Sequence, residues 1–199
     1  MSDRGKLIIL SGPSGVGKSS VVFKTLEERN DICFSTSVTT RKPRSGEVDG
    51  REYFFVEQKR FDEMVERDEL LEHARYVNNS YGTPREYVEK QMDSGLNVIL
   101  DIEIQGARQV CEKIKDAVTI FILPPSMEEL RRRLEKRGTD TAEVIEARIV
   151  RAVQELKEAD FYDYMIVNDD LKRAALEFSS IITAEHCRFD PHRVMDLTK

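Results

Sequence analysis

Cysteine is scarce and scattered in this chain: Cys33, Cys111 and Cys187 are an odd three among 199 residues, far apart in sequence. That excludes a disulfide framework and points to reduced thiols. Histidine is equally thin. His186 and His192 flank Cys187, but without a fourth ligand at zinc-site spacing the segment reads as a polar tail. No apolar run approaches the ~20 residues of a membrane span. The polar start, Met1 to Lys6, has no signal-peptide character, so the expected compartment is the cytoplasm. Surplus positive charge is missing too. The net charge of −6 and the pI of ≈ 5.3 exclude nucleic acid as a partner by bulk electrostatics. Internal repeats and low-complexity segments are absent.

What is present is enough for one domain with a real core: 40% of the residues are hydrophobic. The sequence also admits a homo-oligomer. Short apolar runs at Leu7–Leu10, Ile32–Ser35, Val98–Leu100, Val118–Leu123 and Met165–Val167 are continuous rather than alternating. Such runs suit parallel strands buried on both faces. Helical stripes accompany them: Ile145, Ile149, Val153 and Leu156, then Leu171, Ala174, Ala175, Phe178, Ile181 and Ile182. The alternation predicts an α/β sandwich around a parallel central sheet. Two stretches interrupt it. From about Ser37 to Gln91 come a polar loop, the run Tyr53-Phe54-Phe55-Val56, a helix with Phe61, Met64 and Val65 on one face, a strand-like Leu70 to Val77, and a Tyr81-Gly82-Thr83-Pro84 turn. This is too long for a connecting loop and reads as an inserted subdomain. From about Ser126 to Glu155 runs a helical hairpin broken at Arg137-Gly138-Thr139.

Residues 12 to 19 read Gly-Pro-Ser-Gly-Val-Gly-Lys-Ser, a complete G-x-x-x-x-G-K-[ST] phosphate-binding loop between a strand-like run and a helix-like one. Its elements are Gly12, Pro13, Ser14, Gly15, Val16, Gly17, Lys18 and Ser19, with Ser20 next in the helix-like stretch Ser19 to Arg29. Backbone N–H groups in such a loop cradle phosphate oxygens, and the helix adds its positive N-terminal end. Lys18 can reach the outer phosphates, and the Ser19 hydroxyl can ligate Mg²⁺. The motif in this context predicts binding of a nucleoside triphosphate.

Other clusters are two-sided when read alone. Arg41 and Arg44, flanking Pro43, form either a guanidinium clamp on a phosphate or a solvated basic loop. Tyr53 and Tyr81 offer hydroxyl donors to such a clamp. Glu72, in Leu70-Leu71-Glu72-His73-Ala74, reads equally as a solvent-facing strand residue. Asp101 closes a strand as a Walker-B acid does, and it could orient Mg²⁺ waters or cap the next helix. Arg133 and Arg137 lie on one helix face, with Arg148 beyond the break; Glu129 is placed to pair with Arg133. Asn168-Asp169-Asp170 follows the last strand and reads as a helix cap or a site element.

The combination is specific where its parts are not. Gly12–Ser19, Ser37 to Arg44 with its T-T-R-x-P-R, the G-E-V-D-G-R-E-Y run from Gly46 to Tyr53, Tyr81-Gly82-Thr83 and Val167-Asn168-Asp169-Asp170-Leu171 together resemble the guanylate kinase family. The match is collinear from about Gly5 to Ile182. The resemblance implies a P-loop kinase with a core (5–36, 92–125 and 156–186), a GMP-binding insertion (about 37–91), a lid (about 126–155) and a tail (187–199). It implies ATP and Mg²⁺ as cofactors, GMP and dGMP as acceptors, and no nucleic-acid or membrane partner. Ser37, Glu72, Thr83 and Glu103 would line the guanine, with Asp101 nearby. Arg41, Arg44, Tyr53 and Tyr81 would hold the acceptor phosphate, and Arg133, Arg137 and Arg148 would close over the transferred group. Aspartate is the family's usual residue where this chain has Glu103. Two rivals remain at this stage: a related kinase for a ribose bisphosphate, and a phosphopeptide-binding module that does no chemistry.

Overall fold

The computed structural model describes residues 4–76, 78–138 and 140–189. Val77, Thr139 and most of the tail, including His192, lie outside the described residues. The central sheet contains β1 (Leu7–Ser11), β2 (Ile32–Phe34), β7 (Asn97–Asp101), β8 (Val118–Leu123) and β9 (Tyr164–Val167) in the order β2-β7-β1-β8-β9. All its pairings are parallel. Each apolar run foreseen in the sequence lies on one of these strands.

The physical reason the runs are continuous is visible in where alternate residues point. Ile8 and Leu10 of β1, with Ile99 and Ile120, pack against Val21 and Val22 of α1 (Lys18–Leu26) and Phe178 and Ile182 of α7 (Leu171–His186). Leu7 and Ile9, with Val98 and Leu100, pack on the other face against Val88 and Met92 of α3 (Arg85–Asp93) and Ala107 and Val110 of α4 (Ile104–Lys113). Both faces are dry, so both strand parities are apolar.

A second sheet, with strand order β4-β3-β6-β5, gathers β3 (Val38–Thr39), β4 (Phe54–Phe55), β5 (Leu70–Tyr76) and β6 (Asn79–Pro84). It is mixed: β3 runs parallel to β4 and antiparallel to β6, and β5 pairs antiparallel with β6. Phe61 and Met64 of α2 (Gln58–Glu66) close its own small core with Val38 and Leu70. The segment expected to be a Tyr81–Pro84 turn is instead strand β6. Its glycine serves a close approach rather than a bend: a Cβ at Gly82 would sit 3.0 Å from the Glu72 carbonyl oxygen on β5.

Helices α5 (Met127–Arg137) and α6 (Ala142–Lys157) form the helical hairpin. The Ser126 hydroxyl caps α5 by accepting from the Glu129 N–H at 3.1 Å. Leu130, Leu134, Ile145 and Ala152 bury the helix–helix contact. Two residues of the expected stripes face solvent instead. Val153 is 39% exposed because positions 145, 149, 152 and 156 follow the helical period and 153 falls beside them. Leu171 is 40% exposed at the first turn of α7.

Candidate functional site

The loop of residues 12–19 joins β1 to α1, and two glycines in it are required by conformation. Gly12 has φ 146°, and a Cβ there would lie 2.4 Å from the Ile122 carbonyl oxygen on β8. Gly17 has φ 98° as the N-cap of α1, and its Cβ would meet Asn168 Nδ2 at 2.5 Å. At these two positions the loop therefore lies against β8 and the end of β9 with no room for a side chain. It is also fastened from below. The buried Val16 carbonyl accepts from Asn168 Nδ2 at 2.8 Å and from Arg133 Nη1 at 3.1 Å.

Above the loop is a cavity of ≈ 590 Å³. Gly12, Pro13, Ser14, Gly15, Gly17, Lys18, Ser19 and Ser20 line its floor. Asp101, Glu103, Arg137 and Arg148 line its walls. Lys18 Nζ donates to the Gly12 carbonyl at 2.7 Å and lies 3.6 Å from Asp101 Oδ1. Burial pushes the Asp101 carboxyl above its ordinary range, against the pull of Lys18. Arg148 donates to Ser14 Oγ at 3.0 Å and lies 3.3 Å from Asp140 Oδ1, so α6 already touches the phosphate loop. Arg137 makes no ion pair among the described residues and is free for an anion in the cavity.

A second cavity, ≈ 340 Å³, is lined by Ser37, Tyr53, Thr83 and Asp101 from the expected set, with Phe23, Phe34 and Glu52 at its border. Asp101 and Ile102, at the end of β7, line both cavities, so one short stretch of chain is their common wall. Glu72 on β5 is buried behind the second cavity and accepts from Thr83 Oγ1 at 2.6 Å. A Cβ on Gly106 would come within 3.1 Å of its Oε2, which shows how closely α4 covers it. Burial raises the Glu72 carboxyl above its usual range, the Thr83 hydrogen bond opposes that, and the Glu103 charge adds to it.

Several expected residues are elsewhere. Val16 turns its side chain into the core and does not face the cavity. Arg41 is held by Glu47 through two hydrogen bonds of 2.9 Å, with its guanidinium over the Tyr53 ring at 5.4 Å. Hydrogen bonds from the Arg41 side chain and the Arg44 N–H, the latter 2.7 Å, keep the Glu47 carboxyl below its usual range. The Arg44 guanidinium makes no ion pair among the described residues. Tyr81 stands behind Tyr53, ring centroids 6.1 Å apart, outside the second cavity's lining. Glu103, expected at the guanine, pairs with Arg151 at 2.7 Å, while its charge still acts on Glu72.

Arg133 is the clearest displacement. It does not face the cavity; it lies under the loop, bonded to Glu129 at 2.8 Å and to the carbonyls of Val16 and Asn168. Hydrogen bonds from Arg132 and Arg133 hold Glu129 at about 2. Of the segment 168–170, Asp170 caps α7, accepting from the Arg173 N–H at 2.8 Å, while Asn168 anchors the loop. Arg133→Ala leaves two carbonyls without this donor, so it should destabilise the fold by about 1–3 kcal/mol. Urea unfolding measures it; a midpoint equal to wild type would remove Arg133 from the loop's support.

Sequence reading missed Arg151 and Glu155, which also line the main cavity. Their signal was available: they fall three and seven residues after Arg148, on one face of a helix. For Tyr76 and Glu52, which line the two cavities, no signal existed, because their place depends on how the second sheet folds.

Comparison with known proteins agrees with this geometry. Residues 4–185 match the family model for guanylate kinase. The chain is 50% identical to the guanylate kinase of Lactococcus lactis subsp. lactis, over 96% of this chain and 93% of that one. It is 48% identical to the guanylate kinase of Latilactobacillus sakei subsp. sakei, over 100% of this chain and 98% of that one. Among solved structures, guanylate kinase from Anaplasma phagocytophilum is 38% identical with a TM-score of 0.71, covering 94% of this chain and 88% of that one. The SH3-kinase fragment of tight junction protein 3 shares the fold alone, at 13% identity and a TM-score of 0.51.

Proposed function

This chain belongs to the guanylate kinase family, and we propose how its two cavities divide the work of that reaction. The reaction is ATP-dependent phosphorylation of GMP to GDP. The observation that carries the division is the common wall: a phosphate loop opens on one side of Asp101–Ile102, and Ser37, Tyr53 and Thr83 open on the other. ATP takes the larger cavity and GMP the smaller, so the terminal phosphate of one meets the phosphate of the other at the end of β7. Three parts follow: a core of 5–36, 92–125 and 156–186, an acceptor-binding insertion of about 37–91, and a lid of about 126–155.

The acceptor atom is a phosphate oxygen, anionic near neutral pH, so no strong general base is required. Rate acceleration then comes from positioning and charge stabilisation. Lys18 moves from the Gly12 carbonyl onto the outer phosphates. Arg137 and Arg148 approach from the lid, and Arg133 acts as a positioning residue that keeps the loop in shape. Arg41, already stacked on Tyr53, exchanges Glu47 for the acceptor phosphate, with Arg44 and Tyr81 beside it. Glu72 reads guanine by accepting from its N1–H and N2–H together; adenine presents an acceptor at N1 and would leave the carboxylate unmatched.

The residues also fit Mg²⁺: Ser19 and Asp101, a hydroxyl and a carboxylate of the oxygen-donor kind that ion takes, line one cavity. They would hold the ion, which when bound neutralises phosphate charge. Among the described residues no helix is long and apolar enough to cross a membrane, and cytoplasmic placement is part of this reading. A ribose bisphosphate offers no guanine edge to match Glu72, and a pure binding module has no use for an intact loop. The test is ADP release across a panel of monophosphates. GMP and dGMP should turn over ~10⁴-fold better in kcat/KM than AMP, CMP or UMP, the scale of hydrogen-bond-based discrimination. Equal turnover of AMP would overturn the guanine assignment.

A further inference from the structure

Helix α6 presents more to the donor cavity than one arginine. Arg148, Arg151 and Glu155 occupy positions i, i+3 and i+7 on a single helix face, and all three line it. Arg148 rests on Ser14 and Asp140. Arg151 has different partners: Glu155 on its own helix at 3.0 Å, and Glu103 at the start of α4 at 2.7 Å. The second pair spans the cavity's mouth, because Glu103 belongs to the core and Arg151 to the helical hairpin. Both side chains are more than half exposed, 54% and 65%. A pair that open to water is weakly held, and a triphosphate carries several charges against the single charge of one carboxylate. Guanidinium binds phosphate through the same planar fork that it offers a carboxylate.

We propose that Arg151 is a third lid cation of the ATP site, resting on Glu103 while the site is empty and transferred to a phosphate when ATP binds. This rests on the reading of the larger cavity as the donor site. Glu103 is then a resting partner whose negative charge competes with ATP for Arg151. Its substitution should help ATP bind, whereas an acid that only decorates the surface should change nothing.

Calorimetric titration of ATP into the protein without GMP tests this separately from turnover. Arg151→Gln, at an exposed helical position, should weaken ATP binding by roughly tenfold, the scale of one charge-assisted hydrogen bond. It should leave adenosine, which has no phosphates, unchanged. Glu103→Gln should tighten ATP binding a few-fold in the wild-type background and have no effect in the Arg151→Gln background. If Arg151→Gln binds ATP as wild type does, the assignment is overturned. If Glu103→Gln has the same effect with and without Arg151, the exchange is overturned. Wild-type protein that fails to phosphorylate GMP while binding ATP normally would count against the kinase reading and leave this one standing.

Discussion

Lys18→Ala should lower kcat for GMP phosphorylation by at least ~10²-fold, the usual cost of losing one preorganised electrostatic stabiliser. The ammonium is only partly exposed and lines the donor cavity, where it donates to the Gly12 carbonyl of the phosphate loop at 2.7 Å. Its loss has a second consequence. Asp101 lies 3.6 Å away with its carboxyl already pushed up by burial, and Lys18 is what pulls it down. Without that cation the carboxyl rises further, so the variant holds a more readily protonated acid at the wall between the cavities. The activity that remains should fall off at a higher pH on the acid side than that of the wild type. The fold should persist, since the lysine fills no core. Single-turnover kinetics and a pH profile measure both effects; an unchanged kcat would falsify the role of Lys18 at the phosphates.

The second large effect is expected at Glu72, where activity and stability should move in opposite directions. Glu72→Gln replaces a carboxylate that accepts twice by an amide that accepts once, so one guanine N–H faces a donor. An unpaired buried polar group of that kind should reduce kcat/KM for GMP by roughly 10²-fold. ATP affinity should hardly change. Stability depends on pH. Burial raises the folded-state pKa of Glu72 above its unfolded value. Such a group lends stability while protonated, below the unfolded pKa, and that stability is lost as pH rises through the folded pKa. Glutamine cannot ionise and keeps its hydrogen bond from Thr83. The variant should therefore melt with the wild type in acid and above it at neutral pH. Thermal melts across that range decide the point; a variant that melts lower at neutral pH would mean that the carboxylate is satisfied by partners other than Thr83.

The contrast between these residues and the rest of the site shows what a linear reading can reach. The central sheet was legible because strands covered on both faces must be apolar at every position, as Ile8 and Ile9 are. The second sheet was harder. Strands β3 and β4 have two residues each, too few for a period, and β6 looked like a turn because Tyr-Gly-Thr-Pro carries turn residues. Helices α3 and α4 were not singled out: each buries only a few residues, such as Val88 and Met92, between charged ones. At the site, the phosphate loop follows from local geometry, and sequence locates it. Salt bridges between distant segments do not follow. Nothing in the order of residues says that Glu103 meets Arg151, or that Arg133 passes under the loop to reach Val16, 117 positions away. Those depend on how whole elements dock.

The strand order also has a consequence for how the chain is made. β1 lies at the centre of the sheet, yet neither neighbour exists when it leaves the ribosome: Ile8 pairs with Ile99 on one side and Ser11 with Phe121 on the other. About 110 residues must be added before that second pairing closes, on the order of 5–20 s at the usual rate of synthesis. Through that interval Leu7-Ile8-Ile9-Leu10, buried in the finished protein, is a bare adhesive edge on a nascent polypeptide. Among the strands of the central sheet, the one that ends up holding the phosphate loop in place has the longest wait for its partners, and slowing translation after residue 11 should increase the yield of aggregate before any change in the mature enzyme is seen.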